Sequence, residues 1–206
     1  MAGPPERTRL LVATRSAHKL RELRELLGLQ ADLVDLDDVG IYDEAVEDGE
    51  TFDANAALKA RFYATLSGLP TLADDSGIEV DALAGAPGVY SARWSGEPCG
   101  DARNNQKMLR ELAGVPTEKR TARYRCAAAF VDPARGLELV RMGACEGRLL
   151  ESPQGEGGFG YDPLFFIESL GRTMAEIPLE EKNRLSHRAA AFRELARALS
   201  EFHLLG

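Results

Sequence analysis

Thr71-Leu72-Ala73-Asp74-Asp75-Ser76-Gly77 lies near the middle of the chain, an apolar run ending in two adjacent carboxylates, a hydroxyl and a glycine. A buried strand over 71–73 puts the carboxylates at its exit, where open α/β sheets hold their ligands. Side chains alternate faces along an extended backbone, so Asp74 and Asp75 do not form a proton-sharing dyad. One of them then faces a cleft, holding a metal or activating water, while the other props the turn. The same heptad also reads as a plain Asx-turn without chemistry. Both readings stand on these seven residues.

Outward from the heptad, the pattern alternates strands and helices. Arg9 to Thr14 reads as a buried strand, followed by a helix with Leu20, Leu23, Leu26 and Leu27 on one face and a stop at Gly28. Residues 31–36 form a second strand candidate, and 37–50 an acidic loop carrying Glu44, Glu47 and Asp48. Thr51-Phe52-Asp53-Ala54-Asn55 opens a helix that stops at Gly68, with Pro70 just beyond. Ile78, Val80 and Ala82 alternate, and Gly85 to Gly96 is loop-like by composition. A helix over 101–113 precedes two antiparallel strands, 121–131 and 137–150, around the turn Asp132-Pro133-Ala134-Arg135-Gly136. Pro178-Leu179-Glu180-Glu181 starts a helix whose periodicity runs to about Leu199. The expectation is an α/β protein: a disordered tail over 1–8, then one domain over 9–206.

Composition narrows the partners. The net charge is −8, from 25 basic and 33 acidic residues. Such a surface has no general attraction for a nucleic-acid backbone, so a phosphate ligand needs a local basic pocket and favours a small nucleotide over a polymer. No apolar run approaches the roughly 20 residues that span a bilayer, and the N-terminus lacks a signal peptide's apolar core. Cys99, Cys126 and Cys145 are widely spaced. Isolated reduced thiols of this kind suit a cytoplasmic setting.

Three stretches bear on ligands. Thr14-Arg15-Ser16-Ala17-His18-Lys19 is a strand-to-helix turn with free backbone N–H groups, two hydroxyls and two fixed cations. Cations in a first helical turn oppose the dipole, which points to an anion there; solvated Arg15 and Lys19 are the plain alternative. It is not a Walker loop, because Gly-Lys-Ser/Thr occurs nowhere. Gly155-Glu156-Gly157-Gly158-Phe159-Gly160 matches the dinucleotide fingerprint literally. That motif requires a helix at its last glycine, whereas Tyr161-Asp162-Pro163 and a strand-like Leu164-Phe165-Phe166-Ile167 follow. What remains is a loop presenting Phe159 and Tyr161, either to stack on a base or to tuck into the core. Lys182-Asn183-Arg184-Leu185-Ser186-His187-Arg188 gathers cations, a histidine and a hydroxyl in an acidic protein. It is either a solvated helix face or a donor set, with Lys182 and Ser186 four apart on one helix.

Together these segments resemble the inosine triphosphate pyrophosphatase family, which hydrolyses non-standard purine nucleoside triphosphates. The resemblance rests on Thr14–Lys19, Glu47-Asp48-Gly49-Glu50-Thr51-Phe52, Ala73–Gly77, Gly85–Arg93, Gly158–Pro163 and Ser186–Arg188, in the family's order over about residues 9 to 200. It implies an elongated α/β fold with a mixed central sheet flanked by helices and a substrate cleft between two lobes. It further implies a homodimer, dependence on Mg²⁺, and conversion of ITP, dITP or XTP to the monophosphate and pyrophosphate. By analogy Thr14, Arg15, Ser16, Ala17, His18 and Lys19 grip the triphosphate, and Ser76 touches it. Glu47 and Asp75 ligate Mg²⁺, with Asp75 also accepting the proton of the attacking water and Asp74 in support. Phe159 stacks on the purine, Gly160, Tyr161 and Asp162 close the pocket, and Lys182, His187 and Arg188 read the base.

One departure stands out. The family's first motif usually reads Thr-Gly-Asn-x-x-Lys, whereas here Arg15 and Ser16 occupy the glycine and asparagine positions. Two other readings compete: a Maf-like pyrophosphatase acting on pyrimidine nucleotides, against which Gly158–Pro163 and Ser186–Arg188 argue, and a non-catalytic nucleotide sensor, against which Lys19, Glu47 and Asp75 argue.

Overall fold

The computed structural model describes residues 9–27 and 31–201; the expected tail over 1–8 and helix stop at Gly28 lie outside the described residues. Strand β1 (Arg9–Val12) buries Leu10, Leu11 and Val12. It runs parallel to β2 (Asp32–Val34), with Leu10 opposite Leu33, and to β3 (Thr71–Val80), with Val12 opposite Leu72. The helix between β1 and β2, α1 (Ala17–Leu27), buries Leu20, Leu23 and Leu27 as its periodicity requires. Helix α2 (Phe52–Ser67) opens at Thr51, whose side chain accepts a hydrogen bond from the Ala54 amide, and ends at Gly68 in the left-handed region (φ 69°).

The rest of the sheet adds β4 (Thr121–Asp132), β5 (Leu137–Leu149), β6 (Phe165–Ile167) and β7 (Arg172–Thr173), in the order β2-β1-β3-β4-β5-β6-β7. The β5–β6 and β6–β7 pairs are antiparallel, so the sheet is mixed as expected. Helix α3 (Asp101–Glu111) lies between β3 and β4 in sequence, and α4 (Leu179–Leu185) and α5 (His187–Glu201) close the chain. The Gly85–Gly96 stretch is not all irregular: Gly88–Arg93 winds into 3₁₀ turns.

Two expectations are corrected. The central heptad is neither a short strand with its exit at Ala73 nor an Asx-turn, because β3 continues unbroken through Asp74, Asp75, Ser76 and Gly77 to Val80. Its polar middle reads as a turn only when the lysines and the asparagine that compensate it are out of sight. The C-terminal helix is also two helices, broken at Ser186 (φ −66°, ψ 151°). Ser186 accepts a hydrogen bond from the Ala189 amide at 3.1 Å and so opens α5. Lys182 and Ser186 therefore do not share a continuous helix face.

The chain packs as two compact units woven from separate segments. The first comprises residues 1–75, 127–143 and 191–206, the second 76–126 and 144–190. The first has a core around Leu11, Val34, Leu36 and Tyr63. The second buries Ile78, Val80, Met108, Leu112, Leu149, Leu164, Phe165 and Met174. None of the three cysteines forms a disulfide; burial, then Glu146, pushes Cys145 up to about 11.

Candidate active site

In the first unit, strand register gathers three chain segments. The Ala13 amide donates to Leu72 O (2.8 Å) and the Leu36 amide to Thr14 O (3.1 Å). The turn after β1 and the loop after β2 thereby meet β3 at the level of its carboxylates, the end where parallel sheets bind ligands. Thr14 Oγ1 accepts from the Ser16 amide (3.0 Å), and Ser16 Oγ accepts from the Lys19 amide (3.3 Å). Lys19 Nζ lies 3.5 Å from Asp74 Oδ1. Arg15 turns to the acidic loop, donating to Ile41 O (3.1 Å) with Asp37 at 3.6 Å. The side chains of Ala17 and His18 lie outside the described residues.

Helix α2 supplies two partners that the sequence reading did not single out. Lys59 Nζ lies 2.8 Å from Glu47 Oε1 and donates to Asp74 O at 3.2 Å. Asn55, 2% exposed, donates from Nδ2 to Asp75 Oδ2 (3.1 Å) and accepts from the Gly49 amide (2.7 Å). A Cβ on Gly49 would stand 2.7 Å from that asparagine oxygen, so the close approach requires glycine. Burial works against the Lys59 ammonium, but Glu47, with Asp74 and Asp75 behind it, holds its pKa above the ordinary 10.5. Asp74 and Asp75 thus have different neighbours, as alternation along a strand demands. Glu44 is exposed, whereas Glu47 is held by Lys59. Asn55 and Lys59 carry a legible signal: polar residues four apart among the buried alanines of α2.

A second cluster belongs to the other unit and centres on Asp162, 2% exposed. Its Oδ1 accepts from Tyr124 OH (3.1 Å), and its Oδ2 accepts from the Phe159 amide (2.9 Å) and pairs with Lys182 Nζ. The Lys182 ammonium also sits 4.4 Å from the centroid of the Phe159 ring. Burial, followed by Asp162, raises the Tyr124 phenol well above 10, so it remains a donor. Tyr124 in turn stacks on His187, with centroids 4.8 Å apart and planes within 13°. Gly158 has φ 76°, and a Cβ there would lie 2.1 Å from Asp162 Oδ2.

The two aromatic candidates separate. Phe159 is 58% exposed, whereas Tyr161 is 4% exposed and donates its hydroxyl to Ser91 O at 2.8 Å. Gly160, Ser186, His187 and Arg188 belong to the same unit, the last three buried, and Ser76 stands half-buried at the middle of β3. The first unit therefore brings Thr14, Ser16, Lys19, Glu47, Asp74 and Asp75 to one sheet end, and the second brings Phe159, Asp162, Lys182 and His187 together.

The first unit thus holds carboxylates among lysines, and the second holds an exposed ring whose amide is bonded to a buried aspartate. The Ham1 family pattern matches residues 10–198. The chain belongs to the Ham1 family. The dITP/XTP pyrophosphatase of Geobacter sulfurreducens is 54% identical over 185 residues, covering 89% of this chain and 92% of that protein. Among solved structures, a HAM1 protein from Coxiella burnetii superposes with a TM-score of 0.87 at 38% identity, covering 94% of this chain and 99% of that one. The Staphylococcus aureus Ham1 protein gives 0.88 at 32% identity, with 95% and 100% covered. This Ham1 protein thus has the mixed α/β sheet of its relatives, and among its described residues no helix is long and apolar enough to cross a membrane.

Proposed function

We propose that this chain is a nucleoside triphosphate pyrophosphatase that converts ITP, dITP and XTP to the monophosphate and pyrophosphate. The observation that carries the reading is the first unit's sheet end, where Glu47, Asp74 and Asp75 stand among Lys19, Lys59 and Asn55. The family relationship and the names of the relatives support the same chemistry.

The donor set suits Mg²⁺. Among the described residues no group of three or more His, Cys, Asp or Glu gathers at one point. Mg²⁺ in phosphoryl-transfer sites commonly takes only one or two carboxylates, completing its octahedron with phosphate oxygens and water. Glu47 and Asp75 would hold it, and when bound it would neutralise charge developing on the phosphates. Thr14, Ser16 and Lys19 bind the triphosphate, with backbone amides of the turn and the start of α1 behind them. Ser76 touches the phosphates and Asp74 fixes Lys19. Asp75 orients a water and takes its proton as the oxygen attacks the α-phosphorus; the bond from the α-phosphorus to the oxygen bridging it to the β-phosphorus breaks, and pyrophosphate leaves with that oxygen. Lys59 keeps Glu47 and the Asp74 backbone in place during that step.

In the second unit, Phe159 stacks on the purine while Lys182, His187 and Arg188 face the base. Hypoxanthine and xanthine carry a 6-keto acceptor where adenine has an amino donor, so a donor-rich wall mispairs adenine. An unmet buried polar group costs about 1–3 kcal/mol, about a fivefold to 150-fold preference. The protein works as a homodimer in the cytoplasm.

The test is pyrophosphate release from ITP, dITP, XTP, GTP, ATP and dTTP with Mg²⁺ or with EDTA. Turnover of ITP and XTP, little of ATP, and its loss in EDTA support the reading. Preference for dTTP would shift the protein to the pyrimidine-directed enzymes, and tight ITP binding without turnover would make it a sensor.

A further inference from the structure

We infer that Asp101 and Asn105 on α3 are positioning residues for base recognition, holding the peptides on both sides of Gly160 and so setting the attitude of the Phe159 ring. The inference rests on the reading of Phe159 as the purine platform.

The Phe159 ring is 58% exposed; the Lys182 ammonium, 4.4 Å from its centroid, bears on the ring, and the rest of its orientation comes from the backbone. Residues 151–159 are all exposed, and Phe159 lies between two glycines in the left-handed region, Gly158 (φ 76°) and Gly160 (φ 60°). That backbone is set by its hydrogen bonds, from the Phe159 amide to Asp162 Oδ2 at 2.9 Å and from both sides of Gly160 to α3. The Gly160 amide donates to Asp101 Oδ2 at 2.7 Å. The Gly160 carbonyl accepts from Asn105 Nδ2 at 2.8 Å. Asp101 and Asn105 are four apart, so one face of α3 grips successive peptides from a single helical turn.

The gripping helix is itself fixed. Met108 and Leu112 are fully buried in the second unit's core. Asn104, 2% exposed, donates to Ser91 O and Ala92 O and accepts from the Ser95 amide. Tyr161 OH donates to Ser91 O as well, tying the residue after Gly160 to the same segment. The Asn105 amide has one workable orientation: Gly160 O needs a donor, and a flip would set Oδ1 against it. Neither residue belongs to the motifs that carry the family resemblance.

The experiment measures KM and kcat for ITP alongside inhibition by tripolyphosphate, which has the charge of the substrate tail and no base. Asp101→Ala and Asn105→Ala should each raise the ITP KM about fivefold, the worth of one lost hydrogen bond. Turnover and the tripolyphosphate inhibition constant should stay within about twofold in both. Asp101→Asn keeps an acceptor oxygen and should restore the ITP KM; Asn105→Asp, equal in size but without the donor, should not. In a Phe159→Ala background, neither clamp substitution should raise KM further. If Phe159→Ala raises KM and the clamp variants do not, the clamp is wrong and the platform stands. If Phe159→Ala leaves KM unchanged, the platform reading itself fails. Weakening of tripolyphosphate in step with ITP would also overturn the clamp, because loss would then be general. Asp101 is exposed, so its two variants keep the test open even if Asn105→Ala does not fold.

Discussion

The two clusters solve opposite problems. At the sheet end of the first unit, charge is concentrated: three carboxylates stand within reach of two lysines, and Glu47, Lys19 and Lys59 all retain contact with water. In the second unit, charge is sequestered: Asp162 is buried, Lys182 is largely covered, and the Tyr124 hydroxyl and stacked rings complete the network. An arrangement of the first kind suits a highly charged ligand tail, which exchanges ion pairs with little desolvation. One of the second kind suits a flat, neutral base, read by hydrogen bonds that water does not compete for. Substitutions should therefore separate: chemistry lost without stability on one side, stability and recognition lost together on the other.

The largest effect expected is Asp75→Asn. Removing the proton acceptor should lower kcat for ITP about a thousandfold, in the range for a general base, with little change in unfolding temperature. A variant that loses less than about tenfold would show that Asp75 is not the base. Lys182→Met comes next and should behave oppositely. It leaves the Asp162 carboxylate buried with only neutral donors, destabilising the fold by about 3 kcal/mol, with a higher ITP KM and kcat nearly unchanged. Urea unfolding and steady-state kinetics on the same sample decide it. Wild-type stability in Lys182→Met would mean that the pair is not the keystone of the second cluster.

Much of this contrast was legible before the structure, and the part that was not has a physical cause. The strand–helix alternation, both caps of α2 and the rejection of Gly155–Gly160 as a dinucleotide loop all rest on local chemistry. Local chemistry misled where compensation came from afar. Asp74-Asp75-Ser76-Gly77 has the composition of a turn, and it stays in β3 with Lys19, Lys59 and Asn55 beside its carboxylates. Ser186 broke a helix that periodicity alone carried through, because a serine cap and a serine on a helix face look alike in sequence. The partners furthest from any motif were invisible: Tyr124 sits in an ordinary alternating strand, and nothing in its neighbourhood announces Asp162 or His187. Two compact units also left no linker to find, since each is assembled from separated segments.

The smallest effect concerns pH, and it isolates the sequestered side of the comparison. Tyr161 is buried, and burial, followed by the charge of Asp101, raises its phenol above the ordinary value of 10. In the unfolded chain the same hydroxyl ionises near 10. Below that pH both states keep the proton and the stability it contributes is fully present. Above it the unfolded state releases a proton that the folded state retains, so stability falls as pH rises toward the raised value. The slope for one such group is about 1.4 kcal/mol per pH unit. Tyr161→Phe loses the bond to Ser91 O, about 1 kcal/mol, and should be the less stable protein at pH 8. Between pH 10 and 11 its decline should be shallower than wild type by up to that slope, so the two stabilities converge. Urea midpoints at half-unit steps would show it. Parallel curves would mean that the Tyr161 phenol meets water in the folded state, and the second cluster would be less sealed than its contacts indicate.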